Sequence, residues 1–211
     1  MRARIKKIIP RRFLIQHLDK KHGNSVLLTF DDGPDPVITR QVLEQLKKYN
    51  AQAVFFIPGN RIYKSPDMLQ TILDQKHLLG NHSYNHPNLQ EPHFREYYAD
   101  LKKCQQEIEK ITHKIPKLFR PPKGRISVKS LIIPKLLDLS TMTWSLDPED
   151  WRCKNEKEAR LSAKYIIDHV KPRDIILLHD DNPCVVTILN MILPVLAEKK
   201  FDLFSAVEHI I

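Results

Sequence analysis

The chain has 211 residues, 42% apolar and 28% charged, with a formal charge of +9. That length and apolar content suit one domain with a sizeable buried core, and no uninterrupted apolar stretch reaches the roughly 18 residues of a membrane-spanning helix. The basicity does not describe the body of the chain: residues 1–24 carry eight Lys and Arg against Asp19, whereas 25–211 carry 26 against 24 acidic residues, which leaves no basic and aromatic surface for nucleic acid.

In residues 1–24 the cations interleave with Ile5, Ile8, Ile9, Phe13 and Leu14. Such a basic arm either lies on an anionic membrane or an acidic partner, or caps the fold in solvent. It has neither the continuous apolar core nor the small-residue cleavage site of a secretory signal. Cys104, Cys153 and Cys184 are an odd, widely spaced set, so they make no disulfide framework or zinc knuckle. Together these features predict a cytoplasmic protein, peripheral at the inner membrane face if the arm touches lipid.

From residue 25 onward, short apolar runs alternate with longer stretches of helical spacing. The runs are 25–30, 52–57, a weak 78–80, 117–119, 140–144, 174–178 and a last one near 201–204. Helices are expected over 36–49, 66–77, 93–113, 127–137, 156–170 and 183–199, with start signals at Asp35-Pro36, Ser65-Pro66 and Asn182-Pro183. This alternation predicts βα units on a parallel sheet. About seven units in one domain, 25–211, point to a distorted, TIM-barrel-like (β/α) barrel, with an open doubly wound sheet as the alternative. No GxGxxG follows the first run, so a dinucleotide fold has no support.

Polar residues cluster where the predicted strands end: Asp31 and Asp32 after the first, His82 after the third, Arg120 after the fourth, Asp147 and Asp150 after the fifth, His179 and Asp180 after the sixth. In a barrel those ends share one rim. Asp31-Asp32-Gly33-Pro34 is also ordinary turn chemistry, but neighbouring carboxylates on extended chain point apart and can take different roles. His82 and His86, four apart, would share one face of a helical turn and could hold one ion. One carboxylate and two imidazoles leave coordination positions open for water, and the second carboxylate is then free as a base. Arg120 could pair with Asp31, and the Lys123 amide could stabilise an oxyanion. Asp150 could favour the charged form of a nearby histidine, and Trp151 could wall a sugar or acyl pocket. His179 suits a general acid.

TFDDGP, HSxxH, RPPxG, DxxDW and LLHD occur here in one order, and in that order the chain resembles the polysaccharide deacetylases of the NodB-homology type, carbohydrate esterase family 4. The resemblance spans about residues 25–205. It implies a distorted barrel of seven or so strands, with Asp31 as base, Asp32, His82 and His86 as ligands of a metal (zinc, with cobalt or nickel substituting in relatives) and Arg120 tethering the base. It further implies Asp150 as partner of the acid His179, and Leu177 and Trp151 as lining of the acetyl pocket. Many relatives carry Tyr where this chain has Lys123. The activity implied is removal of N-acetyl groups from amino sugars of a polysaccharide, glycan precursor or lipid-linked sugar. The alternatives are a deformylase or O-deacetylase on a lipid-linked sugar, and a non-catalytic carbohydrate-binding protein.

Overall fold

The computed structural model describes residues 9–86, 93–208 and 210. Six parallel strands form one sheet in the order β5-β4-β3-β2-β1-β6: β1 Leu27–Asp31, β2 Ala53–Ile57, β3 Leu78–Asn81, β4 Leu118–Phe119, β5 Ser140–Thr141 and β6 Ile175–His179. The sheet curls into a half-barrel. Beyond β5 the chain reaches towards β6, where Leu146 bridges Ile176 and the Leu177 amide donates to the Leu146 carbonyl at 3.0 Å.

The helices between strands are α1 Ile38–Lys48, α2 Pro66–Asp74, α3 Phe94–Thr112, α4 Val128–Ile132, α5 Glu156–His169, α6 Cys184–Glu198 and α7 Ser205–Glu208. Five of the six expected helices match within a few residues at each end. The sixth, 127–137, is split at Pro134 into α4 and a 3-10 turn, because proline has no N–H for the helical ladder. The seventh apolar run forms no strand. Asp202 makes a single bridge to Ser25, and the chain then turns into α7; Asp202 is engaged by Ser25 and Ser205 instead.

Strand alternation sorts the side chains. In β1, Leu28 and Phe30 pack under the helices, where Phe30 stacks on Phe55 with ring centroids 5.0 Å apart. Leu27 faces the concave side with Val54, Phe56, Leu118 and Ile175. The same alternation carries Thr29 and Asp31 to that concave side, and Leu177 and His179 in β6 with them. Register places Asp31 directly beside His179.

Of the predicted arm, residues 1–8 lie outside the described residues, and with them Arg2, Arg4, Lys6, Lys7 and most of the expected membrane contact. The following stretch packs on the body: Leu14, Ile15 and Leu18 are buried, and Ile15 exchanges backbone hydrogen bonds with Thr141 and Thr143.

Candidate metal and active site

Asp31 ends β1 on the concave side, 3% exposed. Its Oδ1 accepts from Arg120 Nη1 at 2.7 Å, and its Oδ2 stands 3.7 Å from His82 Nε2. Arg120, fully buried, follows β4 and also donates to Thr29 Oγ1 at 2.8 Å and the Thr143 carbonyl at 3.1 Å. Its guanidinium lies 4.2 Å from the centre of the Phe56 ring. One arginine thus fixes the rotamer of Asp31 through a charge-assisted bond and leaves Oδ2 facing the cavity.

Asp32, His82 and His86 offer ligand atoms that all lie within 4.8 Å of one another. Asp32 Oδ1 is 3.3 Å from His86 Nε2 and 3.9 Å from His82 Nε2, and it is buried without a hydrogen-bond partner. Asp32 has φ of 72°, a backbone conformation that costs energy for a non-glycine residue and turns its carboxylate towards the histidines. His82 Nδ1 donates to the Arg120 carbonyl at 2.8 Å, which directs the Nε2 lone pair at the cluster. An orphan carboxylate oxygen facing imidazole nitrogens suits a divalent cation with N and O donors. Burial would raise the Asp32 carboxyl, but His82, His86, His179 and Arg61 together hold it below its usual value. Burial and His82 lower the His86 imidazole, keeping it in the neutral form a metal needs.

The two histidines meet on a tight turn, not on a helix as their spacing suggested. Ser83 and His86 have φ of 65° and 46°. Asn81 Oδ1 takes the Ser83 amide at 2.8 Å, and Asp100 on α3 takes the amides of Tyr84 and Asn85 at 2.9 and 3.0 Å. Side-chain acceptors therefore replace a helical ladder here.

Across the cavity, His179 Nδ1 donates to Asp150 Oδ1 at 2.8 Å, and the His179 amide donates to Asp150 Oδ2 at 2.8 Å. Burial alone would lower this imidazole; the Asp150 hydrogen bond and the charges of Asp150, Asp31 and Asp32 outweigh it and raise the pKa to about 9. The cavity of about 730 Å³ is lined by Asp31, Asp32, His82, His86, Lys123 and Leu177 together with Trp144, Asp147, Trp151 and His179. Leu177 is a buried wall and Trp151 a half-exposed rim. Lys123 sits in a left-handed turn with φ of 57°, followed by Gly124, where a Cβ would collide with the Trp144 indole.

All ten residues singled out from the sequence thus come together, eight lining the cavity and Arg120 and Asp150 bonded behind it. Trp144, Arg61 and Asp100 were missed. Trp144 follows β5 at its carboxyl end, so the strand-end rule could have found it. Arg61 donates to the Asp32 carbonyl and pairs with Asp181 at 2.6 Å, and nothing in its local sequence marks it.

A carboxylate–imidazole cluster on the C-terminal rim of a parallel βα half-barrel defines a candidate metallohydrolase centre. The family described as Polysaccharide deacetylase matches residues 19–142, and the chain belongs to that family, carbohydrate esterase family 4. It is 36% identical over 155 residues to the peptidoglycan-N-acetylmuramic acid deacetylase PdaC of Bacillus subtilis, covering 74% of this chain and 32% of PdaC. A peptidoglycan-N-acetylglucosamine deacetylase of Bacillus cereus is 35% identical over 192 residues, 87% of this chain and 86% of that protein. The chain spans less than half the length of the longer relatives such as PdaC. Among solved structures, a family 4 acetyl xylan esterase from Clostridium thermocellum with a cobalt ion superposes with a TM-score of 0.75 at 31% identity, over 84% of this chain and 85% of that one. A family pseudoenzyme from Bacillus anthracis shares the fold, with a TM-score of 0.82 at 23% identity over 93% and 68% of the two chains.

Proposed function

We propose that the chain is a metal-dependent hydrolase that removes N-acetyl groups from amino sugars of peptidoglycan or a related glycan. The observation that carries this reading is the division of labour at Asp31: Oδ1 is held by Arg120 while Oδ2 faces the Asp32–His82–His86 cluster, with protonated His179 on the adjacent strand. Asp32, His82 and His86 would hold the metal, and zinc is the choice their donor set favours. A divalent ion bound there supplies Lewis acidity and a more acidic water.

The chain's own residues supply the rest. Asp31 Oδ2 accepts a proton from the attacking water. Arg120 keeps that carboxylate aimed while the proton moves. The Lys123 amide donates to the developing oxyanion. His179, charged at neutral pH, gives its proton to the departing nitrogen. Leu177 and Trp151 wall the acyl methyl and exclude water. The substrate class follows the names of the relatives, and an intact base, acid and ligand set favours catalysis over a binding role.

The test is acetate release from N-acetylated peptidoglycan fragments, chitooligosaccharides and lipid-linked aminosugars, using metal-stripped protein with and without added zinc or cobalt. Metal-dependent acetate release on one class supports the reading. Formate release instead identifies a deformylase, and silence with metal bound identifies a binding protein.

A further inference from the structure

The βα loops and the αβ loops of this fold carry opposite charge balances. On the catalytic rim, the described segments 31–37, 58–65, 82–86, 120–127, 142–155 and 179–183 hold seven Lys and Arg against eight Asp and Glu. At the other end of the same parallel strands, segments 17–24, 47–52, 75–77, 113–117, 135–139, 170–174 and 199–202 hold twelve against four. Even those four are engaged. Asp174 accepts from Ser145 Oγ at 2.7 Å and the Lys171 amide at 2.8 Å, and Asp202 accepts the amides of Phe204 and Ser205. Asp138 pairs with Lys117 and Asp19 with Arg11. Lys47, Lys76, Lys114, Lys171 and Lys200 are exposed and make no ion pair with any described residue.

The segments form one continuous face. Asn24 Nδ2 donates to the Lys200 carbonyl, the Gln52 amide to the Leu203 carbonyl and the Arg173 amide to the Ser25 carbonyl. Lys76, Lys114, Ile115 and Lys117 line one shared concavity. Among the lysines stand three exposed apolar side chains, Tyr49 at 37%, Ile115 at 49% and Leu136 at 57%.

We propose that this face docks on an anionic lipid bilayer, with the catalytic rim pointing away from the membrane. The basic side chains match the surface potential of anionic headgroups. Tyr49, Ile115 and Leu136 reach the headgroup–acyl boundary while the lysine stems lie along it with their ammonium groups in water. A soluble polyanion would use the charges but gain nothing from the apolar side chains, and among its described residues the face has no row of exposed aromatic rings on which bases would stack. The surface belongs to the folded body, so it does not depend on residues 1–8. Nor does it depend on the deacetylase reading, since it shares no residue with the site.

The test is flotation of the full chain with phosphatidylcholine vesicles and with mixed phosphatidylcholine–phosphatidylglycerol vesicles, at low and high salt. The wild type should float with the mixed vesicles at low salt only. Combined Lys47→Gln, Lys76→Gln, Lys114→Gln and Lys171→Gln should weaken that binding on the order of 1,000-fold. A control of equal charge change on α3 and α5, Lys102→Gln, Lys157→Gln, Arg160→Gln and Lys164→Gln, should bind like wild type, and so should a chain lacking residues 1–8. The salt arm uses unmodified protein and stands even if a variant misfolds. The proposal is overturned if the wild type ignores anionic vesicles, if it binds polyphosphate but not vesicles, if both lysine sets matter equally, or if the deletion alone abolishes binding.

Discussion

Asp31 and Asp32 are adjacent in sequence yet face different partners, because β1 ends between them. Asp31 keeps extended geometry and meets Arg120; Asp32 turns to φ of 72° and meets the histidines. Asp31→Asn keeps an oxygen for Arg120 but cannot take a proton. We expect turnover to fall about 10²- to 10⁴-fold with the metal content of the purified protein unchanged, whereas Asp32→Ala should lose the metal itself. His179 carries a second expectation. Its folded pKa, about 9, lies above the ordinary 6.5, so protonation stabilises the fold. That contribution is complete below the free value and is lost as pH rises through the folded one; by linkage it is on the order of 3 kcal/mol. A histidine NMR titration of metal-free protein should show this alkaline step, and Asp150→Asn should move it to lower pH. An unmoved step would mean that Asp150 does not set it.

At the scale of elements, the strand–helix alternation was legible because prolines mark helix starts and apolar runs are short. What was not legible is how the chain behaves once a strand ends. The run 140–144 yields only two paired residues in β5, because β4 itself ends at Phe119, whose carbonyl takes the Met142 amide, and Thr143 then turns to bond Ile15. Spacing alone suggested a helical turn for His82 and His86; the tertiary partner Asp100, from a helix that starts eight residues after His86, holds a different one. Asp100→Ala should therefore loosen the turn without touching the ligands. We expect metal affinity to fall about 10- to 100-fold, as for other residues that orient ligands, while the circular dichroism spectrum stays that of the wild type. Loss of both together would make Asp100 a folding residue.

For the whole molecule, the site was legible as a set because strand ends converge in a parallel half-barrel, whatever the exact course of each loop. The charge balance of the molecule was not: the basic residues of 1–24 fall in one stretch, while the lysines of the αβ loops are scattered through the sequence and become one face only when the sheet forms. The convergence of Asp32 Oδ1 with two imidazole nitrogens has a thermodynamic reading as well. A cation that satisfies them binds the native state alone, so saturating metal at 100 times its Kd should add about 2.7 kcal/mol. For a chain of this size that raises Tm by several degrees. Differential scanning fluorimetry with zinc should show the rise in wild type and none in Asp32→Ala.

Arg120 gives the molecule one more property. Its guanidinium is sealed in the interior and touches β1, the segment after β5 and the Phe56 ring at once, so the reagent that aims the base is also a keystone of the core. Local fraying cannot switch the base off while the core stays closed, nor can a loosened core keep the base aimed. Activity should then vanish over the same few degrees as the near-ultraviolet signal of the buried aromatics, and an enzyme assay becomes a gauge of how tightly the interior is shut.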